Sequence, residues 1–195
     1  MSADAVALPA RARSDAELIA LARVDPAAFA PIFDRHYATI HGYLRRRVDA
    51  PIAEELAAET FARALRGIAR YDEDRGDALP WLFGIAANLA RRHRRTEVRR
   101  LRAYVRTGRD PLQDEHGDAP ARLDAAAAGP RLAAALAELR AHDREALLLF
   151  AWAELSYDEI ALALSIPVGT VRSRLHRARR VLRTHIEDPE MPDDR

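Results

Sequence analysis

Residues 156–183 (SYDEIALALSIPVGTVRSRLHRARRVLR) constrain this chain more than any other stretch. They spell two short helices separated by a tight turn. Ser156 and Glu159 form an S-x-x-E capping box, so a helix starts there. Ile160, Ala161, Leu162 and Leu164 supply its apolar face. Ser165, Ile166 and Pro167 break it, and Pro167 suits the opening of the next helix. Val168, Val171, Leu175, Ala178 and Leu182 then recur at spacings of three and four, as one apolar stripe. At about 100° per residue, Gly169, Ser173, His176, Arg177 and Arg180 fall on the opposite face, with Arg172 at its edge. From Ile160 to Ile186 there are six Arg and no Asp or Glu. A solvated helix face mixes both signs, so this excess points to a polyanion. The pattern predicts a helix-turn-helix whose second helix enters the major groove of DNA. The alternative is a cationic amphipathic helix lying on protein or membrane, which the capped first helix and the Pro-marked turn disfavour.

Net charge is only +1 over 195 residues, but that average hides segregation. Residues 91–102 (RRHRRTEVRRLR) hold seven Arg against one Glu, whereas 103–130 and 187–195 lean acidic. Every Lys/Arg position is Arg, whose planar fork suits phosphates and guanine edges. The absence of Cys excludes disulfides, thiol catalysis and Cys-based zinc sites. No apolar run approaches the ~18 residues of a membrane span. The first residues lack the apolar core of ~7–15 residues that a signal peptide needs, and 1–13 read as a disordered lead. A cytoplasmic location is expected.

Punctuation divides the rest. Ser14 and Glu17 repeat the capping box and open a helix to about Arg23. A second helix is expected from Asp25 and Pro26, with Phe29, Ile32, Phe33, His36, Ile40, Tyr43, Leu44 and Val48 in a 3.6-residue period. A third runs roughly over 51–69. An acidic loop follows, and Pro80 opens a fourth helix that continues into the Arg-rich run. Gly and Pro recur through 106–130, which reads as a flexible linker. Beyond it, Leu132, Leu136 and Leu139 mark one helix, and Asp143 is expected to cap the next, through Trp152. No strand and no internal repeat is evident. The fold class is therefore all-α, with two helical domains (14–102 and 131–186) joined by a linker at 103–130 and followed by an acidic tail at 187–195.

The fourth helix carries a second candidate face. Trp81, Gly84, Asn88, Arg92 and Arg95 lie together on it, with Arg91 beside them. An aromatic ring, an amide and arginines on one face suit a single nucleic-acid strand: the ring stacks, the amide reads a base edge, Arg holds phosphate. Against this, Trp81 fits a core position at least as well. On the third helix Glu54, Glu55 and Glu59 cluster beside Leu56 and Phe61, which is either a solvated acidic face or a docking patch for a basic partner.

Together these segments resemble the extracytoplasmic-function (group IV) sigma factors of bacterial RNA polymerase. AFAPIFDRHYATIHGYLRRRV, AEELAAETFARAL and PWLFGIAANLARRHRR are similar to sigma region two; DREALLLFAWAELSYDEIALALSIPVGTVRSRLHRARRVLR is similar to region four. The likeness covers roughly 14–97 and 131–186. It implies a subunit that binds core polymerase and directs promoter-specific initiation. Glu54, Glu55, Leu56, Glu59 and Phe61 would contact the clamp helices of the largest polymerase subunit. Trp81, Asn88, Arg91, Arg92 and Arg95 would capture and open the −10 element, with Asn88 near the captured base. Arg172, Ser173, His176, Arg177 and Arg180 would read the −35 element in the major groove. The resemblance further implies an anti-sigma factor as partner, a monomer when free, and no cofactor.

Two departures stand out. Relatives often carry Gly where this chain has Ser165; if that residue needs a positive φ, Ser is strained by roughly 1 kcal/mol. Relatives often carry Pro before the DREAL run, where this chain has Arg140, Ala141 and His142. The competing readings are a helix-turn-helix regulator acting without polymerase, which would not need the first domain, and an enzyme. For the latter there is no H-E-x-x-H, no phosphate loop and no nucleophile motif; His36 and His41, five apart, are poorly placed to share a metal. No catalytic residue and no metal site is expected.

Overall fold

Ser14 caps the first helix as its spacing predicts. Its backbone N–H donates to Glu17 Oε2 at 2.7 Å, and the Glu17 N–H donates to Ser14 Oγ at 3.3 Å. Helix α1 follows, Asp15–Ala22. The computed structural model describes residues 13–72, 76–107 and 130–187. Nearly all of the expected N-terminal lead, most of the linker and nearly all of the acidic tail lie outside them.

The chain then departs slightly from the expected second helix. Asp25 Oδ1 accepts from the Ala27 N–H at 3.0 Å, and Pro26–Phe29 close a 3₁₀ turn before α2, Ala30–Arg45. Helix α3 runs Ala50–Arg66 with Pro51 in its first turn, where a missing N–H costs nothing. A 3₁₀ turn, Ile68–Arg70, leads toward the acidic loop. Asp77 Oδ1 accepts from the Leu79 N–H at 2.8 Å, opening α4, Leu79–Thr107. Its 29 residues span about 43 Å. The helix thus carries the Arg-rich run and the first residues of the expected linker.

Helices α1 to α4 bury one apolar face each against the others. Leu18, Ile19, Ile32, Ile40, Leu44, Leu82 and Phe83 are almost wholly enclosed. The Phe83 ring meets Tyr43 edge-on at 5.1 Å. A polar junction fixes α1 against α2 and the start of α4. Asp15 Oδ2 lies 2.7 Å from His36 Nε2 and accepts from the Ala78 N–H at 3.0 Å, while Arg35 pairs with Oδ1.

The C-terminal module holds α5 (Pro130–Glu138), α6 (Ala141–Trp152), α7 (Tyr157–Leu164) and α8 (Val168–Glu187). Asp143 is not the cap of α6. Arg140 occupies that position, and Asp143 sits inside the first turn, 4% exposed. The Ser156 capping box forms. Between α7 and α8, Ser165 adopts φ 53° and ψ 49°. The Ser165 N–H donates to the Leu162 carbonyl and the Ile166 N–H to the Ala161 carbonyl. That is the paired bonding of a Schellman helix end, which needs one left-handed residue. Here a serine takes the conformation usually left to glycine, at a cost of roughly 1 kcal/mol. Val171, Leu175 and Ala178 of α8 are fully buried, as their spacing predicts.

The two modules pack on one another. Gly84 on α4 faces the backbone of Ala163 on α7, and a Cβ at Gly84 would overlap the Ala163 carbonyl oxygen. Ala87, one turn on, is 1% exposed. Small residues let two helix backbones approach this closely. Beside that contact, Arg47, in the turn after α2, places both guanidinium arms on Glu145 of α6, at 2.6 and 2.9 Å, and the Tyr43 hydroxyl donates to the same carboxylate at 3.0 Å. Burial pushes the Tyr43 phenol well above its ordinary value; burial would lower Arg47, but Tyr43 and Glu145 raise it. No helix among the described residues is long and apolar enough to cross a membrane.

Candidate nucleic-acid interface

Helix α8 turns its charged side outward because its opposite stripe is consumed by packing on α5, α6 and α7. Arg172, Ser173, His176 and Arg180 are all exposed, together with Gly169. No carboxylate of α8 lies among them. Ser173 Oγ donates to the Thr170 carbonyl at 3.0 Å, a bond a hydroxyl readily exchanges for another partner.

Arg177 is placed differently from its neighbours. Its Nε and NH2 donate to Asp143 Oδ2 and Oδ1, at 3.0 and 2.8 Å. Hydrogen bonding to Asp143 raises the guanidinium further. This fork ties α8 to α6 and leaves one arm, NH1, uncommitted to Asp143. The helical wheel placed Arg177 on the polar face correctly, but did not show that a buried acid from another helix claims it.

Sequence reasoning missed Arg179. Its guanidinium carbon lies 5.1 Å from the Phe150 ring centroid, and NH1 donates to the Tyr157 hydroxyl at 3.2 Å. Phe150 and Tyr157 meet edge-on at 5.8 Å. The signal in the sequence is its seven-residue spacing from Arg172, which puts the two arginines at one edge of the polar face.

On α4 the structure separates residues that share a face on paper. Asn88, Arg92 and Arg95 are exposed, and Asn88 Oδ1 accepts from Arg91 NH2 at 2.8 Å. Arg91 is half-buried. Trp81 packs against Tyr71 with centroids 5.0 Å apart, its ring only partly accessible. Gly84 is covered by α7. The face therefore consists of an open arginine and amide stretch bounded on one side by the C-terminal module.

On α3 the acidic patch narrows. Glu54 and Glu55 are exposed. Leu56 and Phe61 are core residues, 8% and 4% exposed, so they do not belong to the surface patch in which they were expected. The reason is the α2 neighbour: Phe33 meets Phe61 edge-on at 4.9 Å, and Phe33 itself keeps 39% of its surface open. Glu59 accepts from Arg63 Nε at 2.6 Å and Arg66 NH2 at 3.0 Å; the Arg63 bond leads in holding its carboxyl below the usual range.

Among the described residues, Asp15, His36 and Asp77 are grouped closely enough to suggest a cation site, their ligand atoms lying within 4.8 Å of one another. Their lone pairs are already used. Asp15 serves His36, Ala78 and the Arg35 cation, and Asp77 caps α4. The group is a structural junction.

Comparison with known proteins matches two family models along the chain. Residues 32–100 match the family model of sigma-70 region 2, and residues 130–182 match that of sigma-70 region 4. The chain is similar to the probable RNA polymerase sigma-C factor of Mycobacterium bovis, 35% identical over 146 residues, which is 75% of this chain and 74% of the relative. It is similar to the RNA polymerase sigma factor CarQ of Myxococcus xanthus, 33% identical over 84% of this chain and 92% of that one. Among solved structures it is similar to CnrH in complex with the cytosolic domain of CnrY, at 25% identity and a TM-score of 0.63, covering 90% of this chain and 98% of that one. The fold also matches the sigma factor RpoE of Bartonella quintana in its complex with the anti-sigma factor NepR, with a TM-score of 0.56, 21% identity, and coverage of 83% of this chain and 98% of that one.

Proposed function

The chain belongs to the extracytoplasmic-function sigma factors of bacterial RNA polymerase, which direct promoter-specific transcription initiation, and from that membership we propose how its own residues divide the work. The observation that carries the reading is the exposed basic face of α8 in a capped helix-turn-helix, with no acid from Val168 to Ile186. Arg172, Ser173, His176 and Arg180 read base edges of the −35 element from the major groove. Arg or Lys suits guanine, while a hydroxyl or imidazole adapts to several edges. Arg177, held by Asp143, positions the helix and offers its remaining arm to phosphate.

On α4, Arg92 and Arg95 hold the backbone of one unpaired −10 strand, and Asn88 selects a base taken out of the stack. Extrusion costs a few kcal/mol, so the pocket must return most of it. Arg91, bonded to Asn88, orients that amide. Trp81 acts chiefly as the floor of this surface, through its packing on Tyr71. Glu54 and Glu55 dock on the clamp helices of the largest polymerase subunit, with Glu59 held beside them by Arg63 and Arg66. The protein works by binding alone, as a cytoplasmic monomer without catalytic group, metal or cofactor. An anti-sigma factor is its expected inhibitor, since the CnrH and RpoE structures are complexes with such partners or with a cytosolic domain.

Run-off transcription with purified core polymerase tests this reading. The wild-type chain should start transcripts at discrete sites on genomic fragments. Asn88→Ala should occupy the same promoters but expose fewer permanganate-reactive thymines at the start site. If it opens promoters as well as wild type at equal occupancy, Asn88 is a structural residue and the −10 assignment fails.

A further inference from the structure

Two arginines of α8 are held in place by other helices, and by opposite means. At about 100° per residue, Arg177 and Arg179 stand about 160° apart, on either side of His176. Arg177 forks onto the Asp143 carboxylate of α6, at 3.0 and 2.8 Å. That acid fixes the guanidinium and also neutralises it. Arg179 is fixed by neutral groups. Its guanidinium carbon stands 5.1 Å from the Phe150 ring centroid, and its NH1 donates to the Tyr157 hydroxyl at 3.2 Å. Phe150 of α6 and Tyr157, the first residue of α7, brace each other edge-on with centroids 5.8 Å apart. Among the described residues, no carboxylate pairs with Arg179.

A free surface arginine gives up rotamer entropy when a ligand orders it; one already stacked and hydrogen-bonded has less to lose. A ring and a hydroxyl hold the guanidinium without cancelling its charge. Arg179 is exposed, and its Nε and NH2 are not committed to Tyr157. The Tyr157 oxygen accepts from Arg179, which leaves its own O–H to donate. A charged guanidinium edge beside a hydroxyl donor suits one phosphate group.

We propose that Arg179 and Tyr157, braced by Phe150, form a seat for a backbone phosphate of duplex DNA, on the strand opposite the one that Arg177 meets. The proposal rests on the reading of α8 as a major-groove helix. That groove is about 12 Å wide, and a helix with its side chains is about 10–12 Å across. A helix lying in it therefore brings its two sides against the two bounding strands. With Arg177 on one strand and Arg179 on the other, the rotation of α8 about its own axis is fixed. That rotation decides which of Arg172, Ser173, His176 and Arg180 point at bases. The seat itself carries no sequence information, as is general for phosphate contacts.

Binding of the full chain to −35 duplexes in which single phosphates are replaced by uncharged methylphosphonates tests the seat. In wild type, neutralising one phosphate on each flanking strand should weaken binding. Arg179→Gln should lower affinity about tenfold for matched and mismatched duplexes alike and reduce the salt slope by about one. It should also make one of those two phosphates irrelevant and leave the other as important as in wild type. Tyr157→Phe keeps the ring against Phe150 and should show a smaller loss at the same phosphate. Both variants should melt close to wild type, which separates a DNA contact from a fault in folding. An unchanged salt slope in Arg179→Gln, an unchanged response to every methylphosphonate, or a loss confined to one base pair would overturn the proposal. A wild-type chain with no preference for the matched duplex would instead sink the major-groove reading, and the seat with it.

Discussion

Gly84 lies against the carbonyl oxygen of Ala163, so the two sigma modules touch backbone to backbone at that point. Any side chain there must push α4 and α7 apart, because the obstacle is main chain and cannot rotate away. Gly84→Ala should therefore weaken docking of the modules by about 1–3 kcal/mol. Small-angle scattering should show a larger radius of gyration than wild type. Gly42, on α2 with nothing within 4 Å of an added Cβ, provides the control. Gly42→Ala should leave the dimensions unchanged and raise stability by about 0.5–1 kcal/mol. Equal dimensions for Gly84→Ala and wild type would mean that the helices do not rely on this contact.

Arg177 and Arg172 should separate cleanly in a binding assay. Arg177→Ala strands the buried Asp143 carboxylate, so it should lower the Tm of the free protein. It should also reduce affinity for matched and mismatched −35 duplexes by the same factor. Arg177→Lys should not restore Tm fully, because an ammonium cannot span both carboxylate oxygens. Arg172→Ala should leave Tm nearly unchanged and cost about 1–3 kcal/mol of discrimination at one base pair. A sequence-selective loss in Arg177→Ala, with Tm intact, would return it to the base-reading set.

Stability should fall in acid through Asp15. Burial alone would raise its carboxyl, but the His36 and Ala78 hydrogen bonds, with the His36 and Arg35 charges, bring it from 3.8 to about 2. A carboxyl lowered on folding contributes stability above its unfolded value. That contribution is lost as pH falls from about 4 through about 2, and it is on the order of 2 kcal/mol. Urea midpoints measured from pH 6 to pH 2 should drop over that window. Asp15→Asn should be less stable near neutrality and show a shallower drop. Parallel curves for the two proteins would mean that Asp15 is not the titrating group.

Much of this protein is written locally. The two S-x-x-E boxes set the starts of α1 and α7 because a cap is a bond between residues three apart. The apolar stripe of α8 placed Val171, Leu175 and Ala178 inward, and thereby left Arg172, Ser173, His176 and Arg180 outward, because a helix has only one period. Even the strain at Ser165 is readable, since a Schellman end requires a left-handed residue whatever its side chain. These are consequences of spacing along one segment. What tertiary structure decided depends on which segments meet. No local pattern tells that Asp143 leaves its expected capping role to hold Arg177, 34 residues away, or that Phe61 turns from a docking patch into the core to meet Phe33. Nor does it tell that Glu145 on α6 satisfies Arg47, 98 residues away. Charge pairing and close packing are settled between surfaces that the chain brings together only after its helices exist. The sequence alone thus determined the helices and their outward faces, while the tertiary structure decided which of those charges remain free to meet a ligand.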